Sequence, residues 1–149
     1  MLEANAYDTV CHEHLEYYCL KQIKWMTDRM GLKIIDVEIN NINGGSFSIT
    51  VAKDSLSYRA KNTIVEKLLH GEEYKGLNNL KPYEKFSQRV FTHRNELIKF
   101  IQKANSDGKK LLGYGASTKG NVILQFCNLT KKDIPFIAEV NKDKFRCYT

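Results

Sequence analysis

Three neighbouring side chains near the start of the chain, His12, Glu13 and His14, are of the types that move protons in enzymes. Histidine titrates near pH 6.5 in its ordinary state, and a nearby carboxylate orients its ring and stabilises its protonated form. Residues adjacent in sequence need not contact each other. The alternative to a catalytic role is therefore that these three side chains are ordinary exposed residues at the start of a helix. A zinc site is disfavoured because the His-Glu-x-x-His spacing is absent.

A second candidate is segment 113–121, which reads GYGASTKGN. Small residues at a strand-to-helix turn let backbone N–H groups approach a phosphate, and the helix start adds positive potential. Lys119 is long enough to reach an anionic oxygen. The segment is neither a Walker loop nor a Gly-x-Gly-x-x-Gly loop, because Thr118 occupies the third glycine position. A tight turn without a ligand is the alternative.

Two further positions have weaker chemical signals. Glu139 follows the next apolar segment, where nucleotide-binding folds place an acid on the ribose, but a solvated strand end is the favoured interpretation. Segment 43–46, Asn-Gly-Gly-Ser, predicts a turn with a glycine at positive φ. A substrate contact there is the secondary interpretation.

The elements that position these residues follow from the apolar periodicity. Steps of three and four residues predict a helix from Leu15 to Met30, with Gly31 as its C-terminal stop. Strict alternation then predicts strands at 35–39 and 47–51, with Ile35, Val37 and Ile39 on the buried face. The two strands and the turn at 40–45 form a predicted hairpin.

The rest of the chain predicts a helical region followed by a parallel sheet. A short helix at 64–69 stops near Gly71, and a long helix begins at Pro82 and ends at Asp107 and Gly108. A strand at 111–114, the glycine turn, a helix and a strand at 134–140 then form a βαβ unit of Rossmann type. The predicted class is therefore α/β.

The bulk properties exclude several classes of protein. A net charge of +6 on 149 residues suits an anionic ligand, and the scattered lysines without interleaved aromatics disfavour nucleic acid. No apolar run approaches the roughly 20 residues that span a bilayer, and the first residues do not resemble a signal peptide. Four cysteines without a Cys-x-x-Cys pair indicate reduced thiols and a cytoplasmic location.

Taken together, these segments resemble one enzyme family. Segment 7–18, YDTVCHEHLEYY, is similar to the catalytic segment of the S-adenosylmethionine-dependent sugar C-methyltransferases of deoxysugar biosynthesis. The turn at 43–46, segment 113–121 and segment 139–145 follow in the order found in that family. The resemblance extends over essentially the whole chain.

The resemblance implies a domain organisation. Residues 1–54 correspond to the end of the methyltransferase domain, 55–107 to a helical connector, and 108–149 to the start of a Rossmann-like C-terminal domain. The family binds S-adenosylmethionine and a structural zinc ion, and both sites are expected upstream of Met1. The isolated chain is therefore expected to be an inactive fragment, and to self-associate as a homo-oligomer that covers its exposed apolar faces.

The resemblance also implies roles for single residues. By this resemblance, His14 is the base that removes a hydrogen beside the keto group of a 4-keto sugar nucleotide. Glu13 is its orienting or proton-accepting partner, and His12 is a supporting residue. The implied ligands of the dTDP-sugar diphosphate are Gly115, Ala116, Ser117, Lys119 and Asn121.

Two positions depart from the family pattern. Cys11 stands where some members have a tyrosine that stabilises the enolate. Because a thiol is a weak donor, either this role passes to Tyr17 or another group, or the substrate differs. Asn43 stands where some relatives carry histidine. The alternatives from the residues alone are a nucleotide- or NAD-binding module without catalysis, and an interaction protein in which His-Glu-His is surface decoration.

Overall fold

The computed structural model describes residues 1–148 and shows an α/β protein, as predicted. The chain divides into two compact units. The first contains Met1–Ala6 and Glu16–Ser87, and the second contains Tyr7–Leu15 and the chain from Gln88 onward. The residues of segment 7–18 are thus shared between both units.

The first unit opens with helix α1, Leu20–Arg29, which begins five residues later than predicted. Its start is fixed by Glu72, whose carboxylate accepts the N–H groups of Leu20 at 2.6 Å and Lys21 at 3.0 Å. Cys19 precedes the helix, and its N–H donates to the Gln22 side chain at 3.0 Å. Leu15, predicted to lie on the helix, is 85% exposed in the non-helical segment before it.

Strands β1, Leu32–Asn40, and β2, Ser46–Lys53, form the predicted antiparallel hairpin. Val37 is buried as predicted but Ile35 is only partly buried, because the register shifts between Ile34 and Asp36. This irregularity brings Ile34 onto the same face as Val37, and both are buried. Ile39 shares that face but is 62% exposed. The core of this unit consists of Leu20, Ile34, Val37 and Val65.

The turn of the hairpin contains the predicted glycines at positive φ, with Gly44 at +75° and Gly45 at +116°. Gly44 is also packed closely, since a Cβ atom at this position would overlap the Cβ of Ala6. Its carbonyl accepts a 2.5 Å hydrogen bond from the amino group of Met1. This turn therefore holds the beginning of the chain against the hairpin.

Gly44→Ala is expected to destabilise the first unit by about 2–4 kcal/mol, combining a strained φ with a steric overlap. Gly31→Ala is the matched control: Gly31 has φ +65° but no atom within 4 Å of an added Cβ. The Gly31→Ala variant should lose only the free energy of backbone strain, about 1–2 kcal/mol. Urea unfolding measures both, and equal losses would contradict the assigned close contact.

Helix α2, Asn62–Tyr74, continues through Gly71, where it was predicted to stop. A glycine within a helix costs about 1 kcal/mol but does not end it. The stop is Gly76, which has φ +67°. Helix α3, Lys81–Ser106, contains Pro82 in its first turn and ends before Gly108, as predicted.

The second unit contains the predicted βαβ unit. Strand β3, Leu112–Tyr114, pairs in parallel with strand β4, Phe136–Ala138, and helix α4, Thr118–Phe126, connects them. Strand β4 is shorter than the predicted 134–140. Gly113 allows close packing, since an added Cβ would lie 3.1 Å from Cγ1 of Ile137.

Two general properties concern the helices and the cysteine thiols. None of the helices in residues 1–148 combines the length and apolar character needed to cross a membrane. All four cysteines carry free thiols, and burial raises the pKa of Cys19 and Cys127.

Candidate active site

The segment that contains the histidines is anchored in the second unit by a short 3₁₀ turn, Tyr7–Thr9. Tyr7 is 7% exposed and Thr9 is 3% exposed. The Tyr7 ring packs edge-on against Phe126 of α4, with ring centroids 5.5 Å apart. Its hydroxyl lies 2.9 Å from Nδ1 of His93 on α3. The backbone just before the histidines is therefore held by buried side chains.

His14 is the residue of this segment with the clearest orientation. Its Nδ1 lies 2.8 Å from the carbonyl oxygen of Thr9. A carbonyl oxygen can only accept, so Nδ1 must carry the hydrogen. In the neutral ring the lone pair is then on Nε2, and that nitrogen is the one able to take a proton.

The ring of His14 is oriented by a backbone group. Glu13 was predicted to orient His14 or to accept its proton, and the Thr9 carbonyl takes the orienting position at Nδ1. Glu13 and His12 are exposed, and within residues 1–148 neither side chain has a hydrogen bond or ion pair. Tyr17 is 49% exposed and belongs to the first unit. The catalytic roles of these four residues stay predictions.

The glycine turn lies between β3 and α4, as predicted. Gly115 has φ +88°, and its N–H donates to the Ala138 carbonyl at 2.8 Å. Ser117 precedes α4, and its hydroxyl accepts the N–H of Gly120 at 3.1 Å. Lys119 and Asn121 are half-buried in the first turn of the helix. The structure thus brings the five predicted substrate ligands into one short segment.

Glu139 determines the shape of this turn, and its interpretation as a solvated strand end was wrong. Its side chain is 13% exposed. One carboxylate oxygen accepts the Ala116 N–H at 2.8 Å, and the other accepts those of Val140 at 2.7 Å and Asn141 at 2.9 Å. Lys144 donates to the Ala116 carbonyl at 2.6 Å. The Ala116 backbone is therefore held at both its N–H and its carbonyl.

These hydrogen bonds explain the acidity of Glu139. The N–H donors of Asn141, Ala116 and Val140, in that order, lower its pKa below the ordinary value of 4.5, and Lys144 adds a smaller effect. The ionised carboxylate therefore stabilises the fold fully above pH 4.5. This stabilisation is lost as the pH falls through the lowered pKa.

Glu139→Gln should consequently lower the thermal midpoint at pH 7 and reduce the loss of stability as the pH falls below 4.5. An amide has one acceptor oxygen for three N–H donors and no charge. Glu96→Gln on α3 is the matched control, since it removes an exposed carboxylate of the same unit. Thermal unfolding followed by circular dichroism compares the variants, and identical acid profiles would contradict the role of Glu139.

At the glycine turn, Glu139 is arranged to accept backbone N–H groups rather than the hydroxyls of a nucleoside ribose. A nucleoside ribose at this turn needs a carboxylate that accepts its hydroxyls, but both oxygens of Glu139 are engaged by backbone N–H groups. Within residues 1–148, no three or more His, Cys, Asp or Glu side chains are grouped so that they could hold a metal.

Comparison with known proteins identifies the family. The family described as "C-methyltransferase C-terminal domain" matches residues 41–149, a range that begins after the His-Glu-His segment. The chain is also 29% identical over 139 residues to C-methyltransferase NovU of Streptomyces niveus. That alignment covers 93% of this chain and 33% of the relative, so the chain spans about a third of the relative's length. From the extent of the family match, the chain belongs to the C-methyltransferase C-terminal domain family.

Proposed function

We propose that this chain is part of an enzyme that methylates a carbon atom of a 4-keto-deoxysugar nucleotide, and that it supplies the base. The observation that supports this proposal most is the hydrogen bond between His14 Nδ1 and the Thr9 carbonyl. It presents the imidazole in the tautomer that accepts a proton at Nε2. Membership in the C-methyltransferase family supplies the reaction type.

The chemical step assigned to His14 is removal of a proton beside the keto group. Nε2 takes the proton, the C–H electron pair forms an enolate with the carbonyl, and His14 becomes an imidazolium. The Thr9 carbonyl then accepts a stronger, charge-assisted bond from Nδ1–H. Glu13 is proposed to receive the proton afterwards, and Tyr17 to donate to the enolate oxygen in place of Cys11. S-adenosylmethionine supplies the methyl group, and no step at its site is assigned to the described residues.

The glycine turn is proposed to hold the substrate diphosphate. The Ser117 hydroxyl caps the Gly120 N–H at the start of α4, and the helix dipole favours an anion there. Ser117, Lys119 and Asn121 surround this helix start. The second unit has 12 Lys and Arg residues against seven Asp and Glu, an excess of +5 that attracts a diphosphate. A dTDP-sugar is the proposed substrate class.

The alternative, an NAD-binding module without catalysis, has less support. NAD binding in Rossmann folds uses an acid near the end of the second strand to hold ribose hydroxyls. Glu139 is the residue at that place, and its hydrogen bonds to Ala116, Val140 and Asn141 use both oxygens. The arrangement is suited to shaping the turn rather than to binding a ribose.

A chimera tests the proposal directly. This chain replaces the matching third of C-methyltransferase NovU, and the protein is incubated with labelled S-adenosylmethionine and a panel of dTDP-4-keto-deoxysugars. Mass spectrometry should detect a product heavier by one methyl group, with NMR placing it on carbon next to the keto group. A folded chimera that binds the substrate but yields only O-methylated or unmodified sugar would contradict the proposal.

A further inference from the structure

The hydrogen bond that orients His14 depends on residues outside the His-Glu-His segment. Tyr7 and Thr9 belong to one 3₁₀ turn, in which the Val10 N–H donates to the Tyr7 carbonyl at 2.9 Å. The carbonyl of Thr9 is the group that His14 Nδ1 contacts. The position of this carbonyl therefore depends on whatever fixes the turn.

Tyr7 has the contacts needed to fix it. Its ring lies edge-on to both His93 and Phe126, with centroids 5.6 Å and 5.5 Å away. Its hydroxyl and Nδ1 of His93 are 2.9 Å apart, which joins the turn to α3 across 86 positions of the sequence. Burial raises the pKa of the Tyr7 hydroxyl, so that it stays protonated and available as a donor at neutral pH.

We propose that Tyr7, joined to His93, is a positioning residue that fixes the Thr9 carbonyl and thereby the tautomer of His14. This inference rests on the proposed function for its catalytic meaning. The side chain of Tyr7 fixes the position of the turn, and the turn fixes the position of the Thr9 carbonyl. This carbonyl in turn keeps the hydrogen of His14 on Nδ1. A histidine without such a partner exchanges its proton between both ring nitrogens.

The tautomer is measurable without catalysis. Nitrogen-15 NMR of the labelled 149-residue chain distinguishes protonated from unprotonated ring nitrogens, and His14→Gln identifies the His14 signals. In the neutral ring of the wild type, the hydrogen should be on Nδ1. In Tyr7→Phe the share of the Nε2–H tautomer should rise, and in Tyr7→Leu it should rise further. His93→Leu should reproduce Tyr7→Phe, with no further change in the double variant.

Phe91→Leu provides the matched control for loosened packing. Phe91 contacts Phe126 at 5.6 Å between ring centroids, but has no ring contact with Tyr7 within residues 1–148. It should leave the His14 tautomer unchanged. If Tyr7→Leu does not fold, the conservative Tyr7→Phe and the wild type decide the question. A wild-type His14 with its hydrogen on Nε2, or a Tyr7→Phe spectrum identical to that of the wild type, would overturn the proposal.

The catalytic meaning is tested separately in the chimera. Tyr7→Phe should lower kcat about tenfold with little change in KM, as expected when a base is misoriented but the nucleotide is still bound. An inactive wild-type chimera would count against the proposed function and leave the tautomer result intact. An altered tautomer with an unchanged kcat would overturn the positioning role alone.

Discussion

The His14→Ala chimera should transfer methyl groups about 10²- to 10⁴-fold more slowly than the wild-type chimera, the usual contribution of a general base. The loss should appear in kcat, because the proposed role of His14 is at the hydrogen beside the keto group, whereas the diphosphate is proposed to bind at the glycine turn. Exchange of that hydrogen with deuterated solvent, followed by mass spectrometry without the methyl donor, isolates the affected step. Added imidazole should restore part of the exchange.

His12→Ala is the control for this experiment, because His12 is also exposed and lies two residues away. No hydrogen bond orients its ring among residues 1–148, so we expect less than about a tenfold loss. The base would have to be reassigned if His12→Ala removed the exchange while His14→Ala retained it. If both variants retained the hydrogen exchange equally, the result would favour the alternative of an interaction protein in which His-Glu-His is an exposed segment without a catalytic role.

The order of the elements could be predicted from the sequence because it depends on local periodicity. The apolar spacing changes from helical steps to alternation near Gly31, which correctly predicted the hairpin. The glycine turn after 111–114 correctly predicted the βαβ unit. The errors concern contacts between distant residues. Helix α1 begins at Leu20 because Glu72, 52 positions away, accepts its first N–H groups. The register shift at Ile34 and Asp36 likewise has no sequence signal of its own.

The candidate site was predictable in its residue types but not in its hydrogen bonds. The side chain of His14 was identified from the segment, whereas its partner is a backbone carbonyl, which every residue possesses. For Glu139 the difficulty is different. An acid after the second strand of a βαβ unit is the same signal whether it binds a ribose or the turn's own N–H groups. Only the folded geometry distinguishes these two roles.

Lys119→Ala should weaken the binding of dTDP to this chain about 10- to 100-fold, as measured by isothermal calorimetry. A charge-assisted hydrogen bond contributes roughly 1.5–3 kcal/mol, and 1.4 kcal/mol corresponds to a factor of ten. Lys119 lies in the first turn of α4, where its charge adds to the field of the helix start. The effect should shrink at high salt, because part of it is screened.

Lys131→Ala separates a specific contact from the general attraction of a basic protein. Lys131 is exposed in the segment before β4, at the opposite end of the strands from the glycine turn, and its removal changes the net charge by the same amount. We expect less than a twofold effect on dTDP binding. Equal losses in both variants would show that dTDP is held by diffuse charge, and tighter binding of NAD than of dTDP would favour the NAD-binding module. A selective loss in Lys119→Ala would locate the diphosphate at the helix start, because two lysines of equal charge would then differ only in where they lie.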